Sequence, residues 1–112
     1  MSAVEEIDPA TAHAIVEEDG AVLLDVRNPD EWDAAHVPTA VLIPLGDLAD
    51  RYTELPADRR IAIICRSGAR SARATEALVG AGYDAVNVAG GMIAWTAAGL
   101  PVVTEPPGVT RQ

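Results

Sequence analysis

The residues able to do chemistry crowd into one stretch, Cys65-Arg66-Ser67-Gly68-Ala69-Arg70-Ser71. Cys65 is the only cysteine of the chain, and Arg66, Arg70 and Arg73 follow it closely. A cysteine attacks as its thiolate, a form favoured by nearby positive charge and by backbone N–H groups. Gly68 gives the stretch the backbone freedom for a tight curl. A curled Arg66-Ser67-Gly68-Ala69-Arg70 points several N–H groups inward, as a nest for an anion. A helix opening near Ser71 adds the positive end of its dipole to that field. The guanidinium of Arg70 is suited to a tetrahedral oxyanion, which it can hold by two parallel hydrogen bonds. Ser67 and Ser71 bring hydroxyls that either bond the sulfur or cap the helix, and the sequence does not choose between these. A free cysteine commonly packs as a small hydrophobe, but an inert one has no use for flanking arginines. The stretch reads as a nucleophilic sulfur in an anion cradle.

The charge of the chain sharpens that contrast. Its 112 residues carry a net charge of -9. Residues 1–58 hold fourteen carboxylates against Arg27 and Arg51, whereas residues 59–73 hold five arginines and no acid. An acidic body repels a phosphate backbone, so a nucleic-acid partner is disfavoured and none is expected. Arg59, Arg60 and Arg73 read as a solvated face, and Arg66 and Arg70 as part of the cradle. Hydrophobic residues make up 49% of the chain, with no phenylalanine. An apolar side made of Ala, Val, Ile and Leu suits buried parallel strands. This length accommodates one domain, here expected over residues 1–102 with a flexible tail over 103–112. A lone cysteine forms no internal disulfide and requires no oxidising compartment. Met1 opens no charged-then-apolar leader, and the apolar runs fall short of the ~20 residues of a membrane span. A cytosolic location with no membrane partner is the expectation. Nothing in the sequence calls for a cofactor or a metal.

The elements that must position the thiol are legible from caps and periodicity. Asp8-Pro9 opens a first helix, with Asp8 as N-cap and Pro9 in the first turn, and Asp19-Gly20 ends it. Ala21–Val26 is an apolar run broken by Asp25, hence a buried strand. Asn28-Pro29-Asp30-Glu31 has the form of a capping box. Val41–Ile43 reads as a short strand stopped by Pro44, and the spacing of Leu45, Leu48, Tyr52 and Leu55 predicts a helix ended by Pro56. Ile61–Ile64 is the most apolar strand, with Cys65 at its carboxyl end. A helix is expected from about Ser71 to Gly82, a strand over Ala85–Val88 and a last helix over Met92–Ala98. Strands alternating with helices give a three-layer α/β domain with a mainly parallel central sheet. In such a sheet, ligands bind beyond the carboxyl ends of the strands, where Cys65 stands.

Other residues read as support. A carboxylate within an apolar strand is costly unless paired, so Asp25 is expected to pair with Arg27, His36 or loop backbone. Arg27 and Glu31 are spaced for an ion pair, or Glu31 closes the capping box. His36 reads as an ordered structural hydrogen bonder rather than a proton shuttle. Gly90-Gly91 reads as a close backbone approach to the active loop, with Met92 and Trp95 in the core.

These motifs together resemble those of single-domain rhodaneses. Leu23-Leu24-Asp25-Val26-Arg27, Glu31-Trp32 and His36-Val37-Pro38 are similar to that family's first motif. The run from Cys65 to Ser71 is similar to its active loop, and Val88–Trp95 with Gly99–Val102 to its final helix and usual end. Ala35 and Thr39 stand where the family usually has glycines, and Leu42 where a polar residue is common. The resemblance implies a rhodanese-like fold and a sulfurtransferase that works through a persulfide on Cys65, a ping-pong scheme. It also implies a small donor such as thiosulfate and an acceptor that is cyanide, a thiol or a protein. A non-turnover sulfur carrier or sensor docked on a protein partner is the alternative. Cys65 would be the catalytic residue, with Arg66, Ser67, Gly68, Ala69, Arg70 and Ser71 binding substrate and Asp25, Arg27, Glu31, His36, Gly90 and Gly91 in support. Cysteine phosphatases of related fold use Cys-x5-Arg. Here only four residues separate Cys65 from Arg70, a narrower cradle that fits a sulfane sulfur and disfavours a phosphate centre.

Overall fold

The computed structural model describes residues 4–104. Five strands, β1 (Glu6–Ile7), β2 (Val22–Asp25), β3 (Val41–Leu42), β4 (Ile61–Ile64) and β5 (Ala85–Val88), form one sheet in the order β1-β5-β4-β2-β3. Every pairing in it is parallel. Five α-helices accompany the sheet: α1 (Pro9–Asp19), α2 (Pro29–Ala34), α3 (Leu48–Arg51), α4 (Ala69–Gly80) and α5 (Gly91–Ala97).

Strand alternation divides the core into two layers, because successive side chains leave a strand on opposite faces. Ile61, Ile63 and the following Cys65 share one layer with Leu48, Leu55, Ala74 and Leu78. Ala62 and Ile64 share the other with Ala12, Met92 and Trp95. Helices α3 and α4 therefore cover one face and α1 and α5 the other, the expected three-layer α/β arrangement. Full burial of Leu78 alone stabilises the α4 contact by about 2 kcal/mol.

Local chemistry explains the boundaries. Asp8 caps α1 by accepting from the Thr11 N–H at 2.7 Å, and Gly20 closes the helix at φ 74°. Helix α4 begins at Ala69, earlier than the expected Ser71. Gly68 turns left-handed at φ 112°, and its carbonyl already accepts from the Ala72 N–H at 3.1 Å. At the far end, the Gly82 N–H reaches the Val79 carbonyl and the Tyr83 N–H reaches that of Leu78, each at 3.0 Å. This is a Schellman closure around a left-handed glycine, so α4 stops at Gly80 and Gly82 serves as its exit.

The single helix expected between Leu45 and Leu55 is not continuous. It consists of 3-10 turns at Leu45–Asp47 and Tyr52–Glu54 flanking α3. Pro56 forces its predecessor out of the helical region, and Leu55 is extended at φ -81°, ψ 140°. Strand β1 was not foreseen: it has only two residues, laid against Asn87 and Val88 of β5. Val103, assigned from sequence to the tail, exchanges backbone hydrogen bonds of 2.9 and 2.8 Å with His36. The rest of the expected tail, 105–112, lies outside the described residues. Among the described residues, no helix is long and apolar enough to cross a membrane.

Candidate active site

Cys65 leaves the carboxyl end of β4, the middle strand of the sheet, and the chain enters α4 after only Arg66, Ser67 and Gly68. The tight curl aims donors at the sulfur. Gly68 N–H lies 3.1 Å from Sγ and the Ser71 hydroxyl 3.3 Å from it, both within the longer reach of sulfur acceptors. The residue is 1% exposed. Burial pushes its thiol pKa up, but hydrogen bonds from the Ser71 side chain and from the N–H groups of Ser71, Gly68 and Ser67 outweigh it. The net shift is below the ordinary cysteine value, the condition for a thiolate nucleophile.

The loop is clamped from behind by the start of α5. The N–H groups of Met92 and Ile93 donate to the carbonyls of Cys65 and Arg66 at 2.8 and 3.1 Å. This contact requires Gly91: a Cβ there would lie 2.3 Å from the Cys65 carbonyl oxygen and 2.6 Å from the Arg66 carbonyl carbon. Gly90 N lies 3.5 Å from where a Cβ of Gly68 would stand. The close approach expected of the two glycines is present.

Arg70 is placed differently from the expectation. Its Nη1 and Nη2 donate to Glu31 Oε1 and Oε2 at 2.7 and 2.9 Å, a bidentate pair that crosses from α4 to α2. The fork meant for a substrate oxyanion is thus occupied by a carboxylate of the protein itself. The Arg70 guanidinium holds Glu31 down to about 2. Glu31 also accepts from the Asn28 N–H at 3.1 Å, so the capping-box reading holds, while its side chain pairs with Arg70 and not with Arg27.

Asp25 and Arg27 do pair. Arg27 Nη2 reaches Asp25 Oδ2 at 2.7 Å, and Nε reaches both carboxylate oxygens at 3.0 Å. The remaining Arg27 donors go to the carbonyls of Glu31 and Ala35. The buried pair thus ties β2 to α2, and through α2 to Arg70. His36 bonds the Trp32 carbonyl through Nδ1 at 2.8 Å and stacks on the Trp32 ring at 3.8 Å between centroids. Both contacts are to Trp32, on α2. Ser67 and Ala69 are exposed, as is Arg66, which lines a cleft of about 320 Å³ with Glu31, Met92, Ile93 and Thr96. Outside the loop, Arg60 is on the surface and pairs with Asp84 at 3.1 Å.

Asn87 was missed by the sequence reading. It is fully buried on β5, on the side of the sheet that faces α4. Its amide receives the Ser71 hydroxyl at 2.5 Å and donates to Glu6 Oε2 and to the Gly68 carbonyl. The signal was available: an asparagine inside the apolar run Ala85–Val88 is as conspicuous as Asp25 inside Ala21–Val26.

With this geometry in view, the family relationships follow. The model of the rhodanese-like domain matches residues 8–98. A sulfurtransferase of Allochromatium vinosum is 39% identical over 102 residues, covering 89% of this chain and 95% of that protein. The thiosulfate sulfurtransferase GlpE of Pseudomonas syringae is 35% identical, over 85% of this chain and 90% of its own. A crystal structure of a rhodanese-related protein from Thermoplasma volcanium superposes with a TM-score of 0.84 at 34% identity, covering 90% of this chain and 99% of that one. The chain belongs to the rhodanese-like family.

Proposed function

We propose that the protein is a sulfurtransferase that carries a sulfane sulfur from thiosulfate or a related donor, as a persulfide on Cys65, to cyanide, a thiol or a protein acceptor. The observation that carries this reading is the Cys65 sulfur at a strand end, receiving the Gly68 N–H, with Ser71 Oγ 3.3 Å away and the thiol pKa lowered. In the first step Sγ attacks the outer sulfur of the donor. The Sγ–S bond forms, and the donor's S–S bond breaks with its electron pair leaving on sulfite. In the second step the acceptor attacks the outer sulfur of the persulfide, and the electron pair of that bond returns to Sγ as thiolate. Electrons balance with no external oxidant.

The loop N–H groups and the dipole of α4 supply the fixed positive end toward which charge moves. Arg66, exposed at the mouth, and the positive field of Arg70 draw the anionic donor. The four-residue spacing between Cys65 and Arg70 supports sulfur over phosphate, whereas the pairing of Arg70 with Glu31 leaves its fork free for neither oxyanion while the pair stands. Sulfite release from thiosulfate with cyanide as acceptor tests the proposal: the wild type turns over and Cys65→Ser does not. Absence of turnover with any acceptor, in a protein still able to take up sulfur, would favour the carrier reading.

A further inference from the structure

The Ser71 hydroxyl has one proton and three acceptors within reach: Asn87 Oδ1 at 2.5 Å, the Gly68 carbonyl at 3.2 Å and Cys65 Sγ at 3.3 Å. The orientation of the Asn87 amide decides among them. Its Nδ2 faces Glu6 Oε2 at 2.9 Å and the Gly68 carbonyl at 3.3 Å. A carboxylate and a carbonyl only accept, so the NH2 must lie on their side and Oδ1 must face Ser71. The strand register fixes this, since Glu6 on β1 stands beside Asn87 on β5. In the Ser71–Asn87 bond the serine is therefore the donor. While that bond stands, Ser71 Oγ meets the sulfur with lone pairs, which accept from an S–H and repel a thiolate.

We propose that Asn87 is a positioning residue of the sulfur chemistry, holding the Ser71 proton when Sγ is uncharged and yielding it when Sγ carries the negative charge. The inference rests on the persulfide reading for its role in turnover. In the thiol, S–H donates to Ser71 and Ser71 donates to Asn87. In the thiolate, the hydroxyl turns to Sγ and leaves the buried Oδ1 without its donor, which costs free energy. In the persulfide, the charge sits on the outer sulfur and Sγ is neutral, so the proton returns to Asn87. Asn87 thus favours the thiol and the loaded persulfide over the free thiolate, and biases the site toward retaining sulfur.

The charged groups around the sulfur are Arg70 on α4, Glu31 on α2, Asp25 at the end of β2 with its partner Arg27 just beyond, Arg66 in the loop and Glu6 on β1. The Ser71 hydroxyl bonds none of these groups, only Cys65 Sγ, the Gly68 carbonyl and Asn87 Oδ1, so the Ser71 proton is the part that moves.

The test is the pH profile of Cys65 alkylation by iodoacetamide, which depends on no sulfur donor and so is separable from a failure of the transfer reaction. Asn87→Val and Asn87→Ala each remove the competing acceptor. The Gly68 carbonyl keeps the Ala72 N–H, and Glu6 is exposed to solvent, so neither variant strands a buried group. Below the wild-type midpoint, either variant is expected to alkylate about tenfold faster, the worth of one hydrogen bond to the thiolate. In a Ser71→Ala background the same substitutions should change nothing. An unchanged or slower profile, or an acceleration that persists without Ser71, overturns the proposal. A measurement on the wild type stands if both variants misfold. The side-chain carbonyl carbon resonance of Asn87 should move as Cys65 titrates, and a resonance that stays fixed overturns the proposal as well.

Discussion

Glu31 and Arg70 make the most consequential pair of the site, because each has a second task. Glu31 closes the start of α2 and Arg70 stands in the first turn of α4 beside the sulfur. The carboxylate is held down to about 2, first by hydrogen bonds from Arg70. A folded-state pKa below the unfolded one contributes stability that is complete above the unfolded value and lost as pH falls through the folded one. The wild type should therefore lose stability between about pH 5 and about pH 2, with the unfolded state binding the extra proton. Glu31→Gln should be less stable at neutral pH by roughly 1–3 kcal/mol, the value of a charge-assisted bond. Its stability should also fall less steeply with acid, and urea unfolding across the acid range measures both. A slope equal to that of the wild type would remove Glu31 from the account. Asp25 and Arg27 illustrate a pairing legible in the sequence: a carboxylate in an apolar strand needs a partner, and the nearest arginine supplies it. The Glu31–Arg70 pair, 39 residues apart in sequence, was not legible because only the fold brings α2 and α4 together.

At the scale of elements, the loop between β4 and α4 owes its shape to the start of α5. Gly91 sits at φ 56° with carbonyl atoms of Cys65 and Arg66 where a side chain would go. Gly91→Ala should cost about 3 kcal/mol, combining backbone strain with a clash that no flexible side chain can relieve. Gly99→Ala, also at positive φ but with open space around it, should cost only about 1 kcal/mol. Thermal unfolding of the two variants separates the terms, and equal losses would show that contact with the loop is not what Gly91 provides. Elements with a strong local signature were readable: α1 and α2 from their caps, β4 from its unbroken apolar run, α4 from its periodicity. Strand β1 was not, because two residues carry no period, and their pairing with β5 is a tertiary event. The start of α4 was misplaced because Gly68 looked like loop, whereas its left-handed turn makes it the cap itself. Asn87 is the one polar residue of the apolar run Ala85–Val88, and only the fold sets it against Ser71 and the Gly68 carbonyl.

The whole molecule places its one thiol, with Arg66 and Arg70 beside it, at the carboxyl end of a parallel sheet in a chain of net charge -9. Its last described segment helps to hold that arrangement. Trp95 donates to the Pro101 carbonyl at 2.9 Å, and Val103 pairs with His36, beside the α2 that carries Glu31. Ending the chain after Val102 removes the His36 bridge and keeps the Trp95 bond. This should lower the unfolding temperature by roughly 5–10 °C, as two hydrogen bonds of net about 0.5–1 kcal/mol each imply. No change on truncation would mean that the domain ends before Val103. The central claim, that Cys65 carries the sulfur, is tested most directly by the intact mass of the protein after incubation with thiosulfate. The account predicts a gain of one sulfur atom that a thiol reductant reverses and that Cys65→Ser never shows. An unchanged mass with every sulfane donor tried, or the same gain in Cys65→Ser, would contradict it.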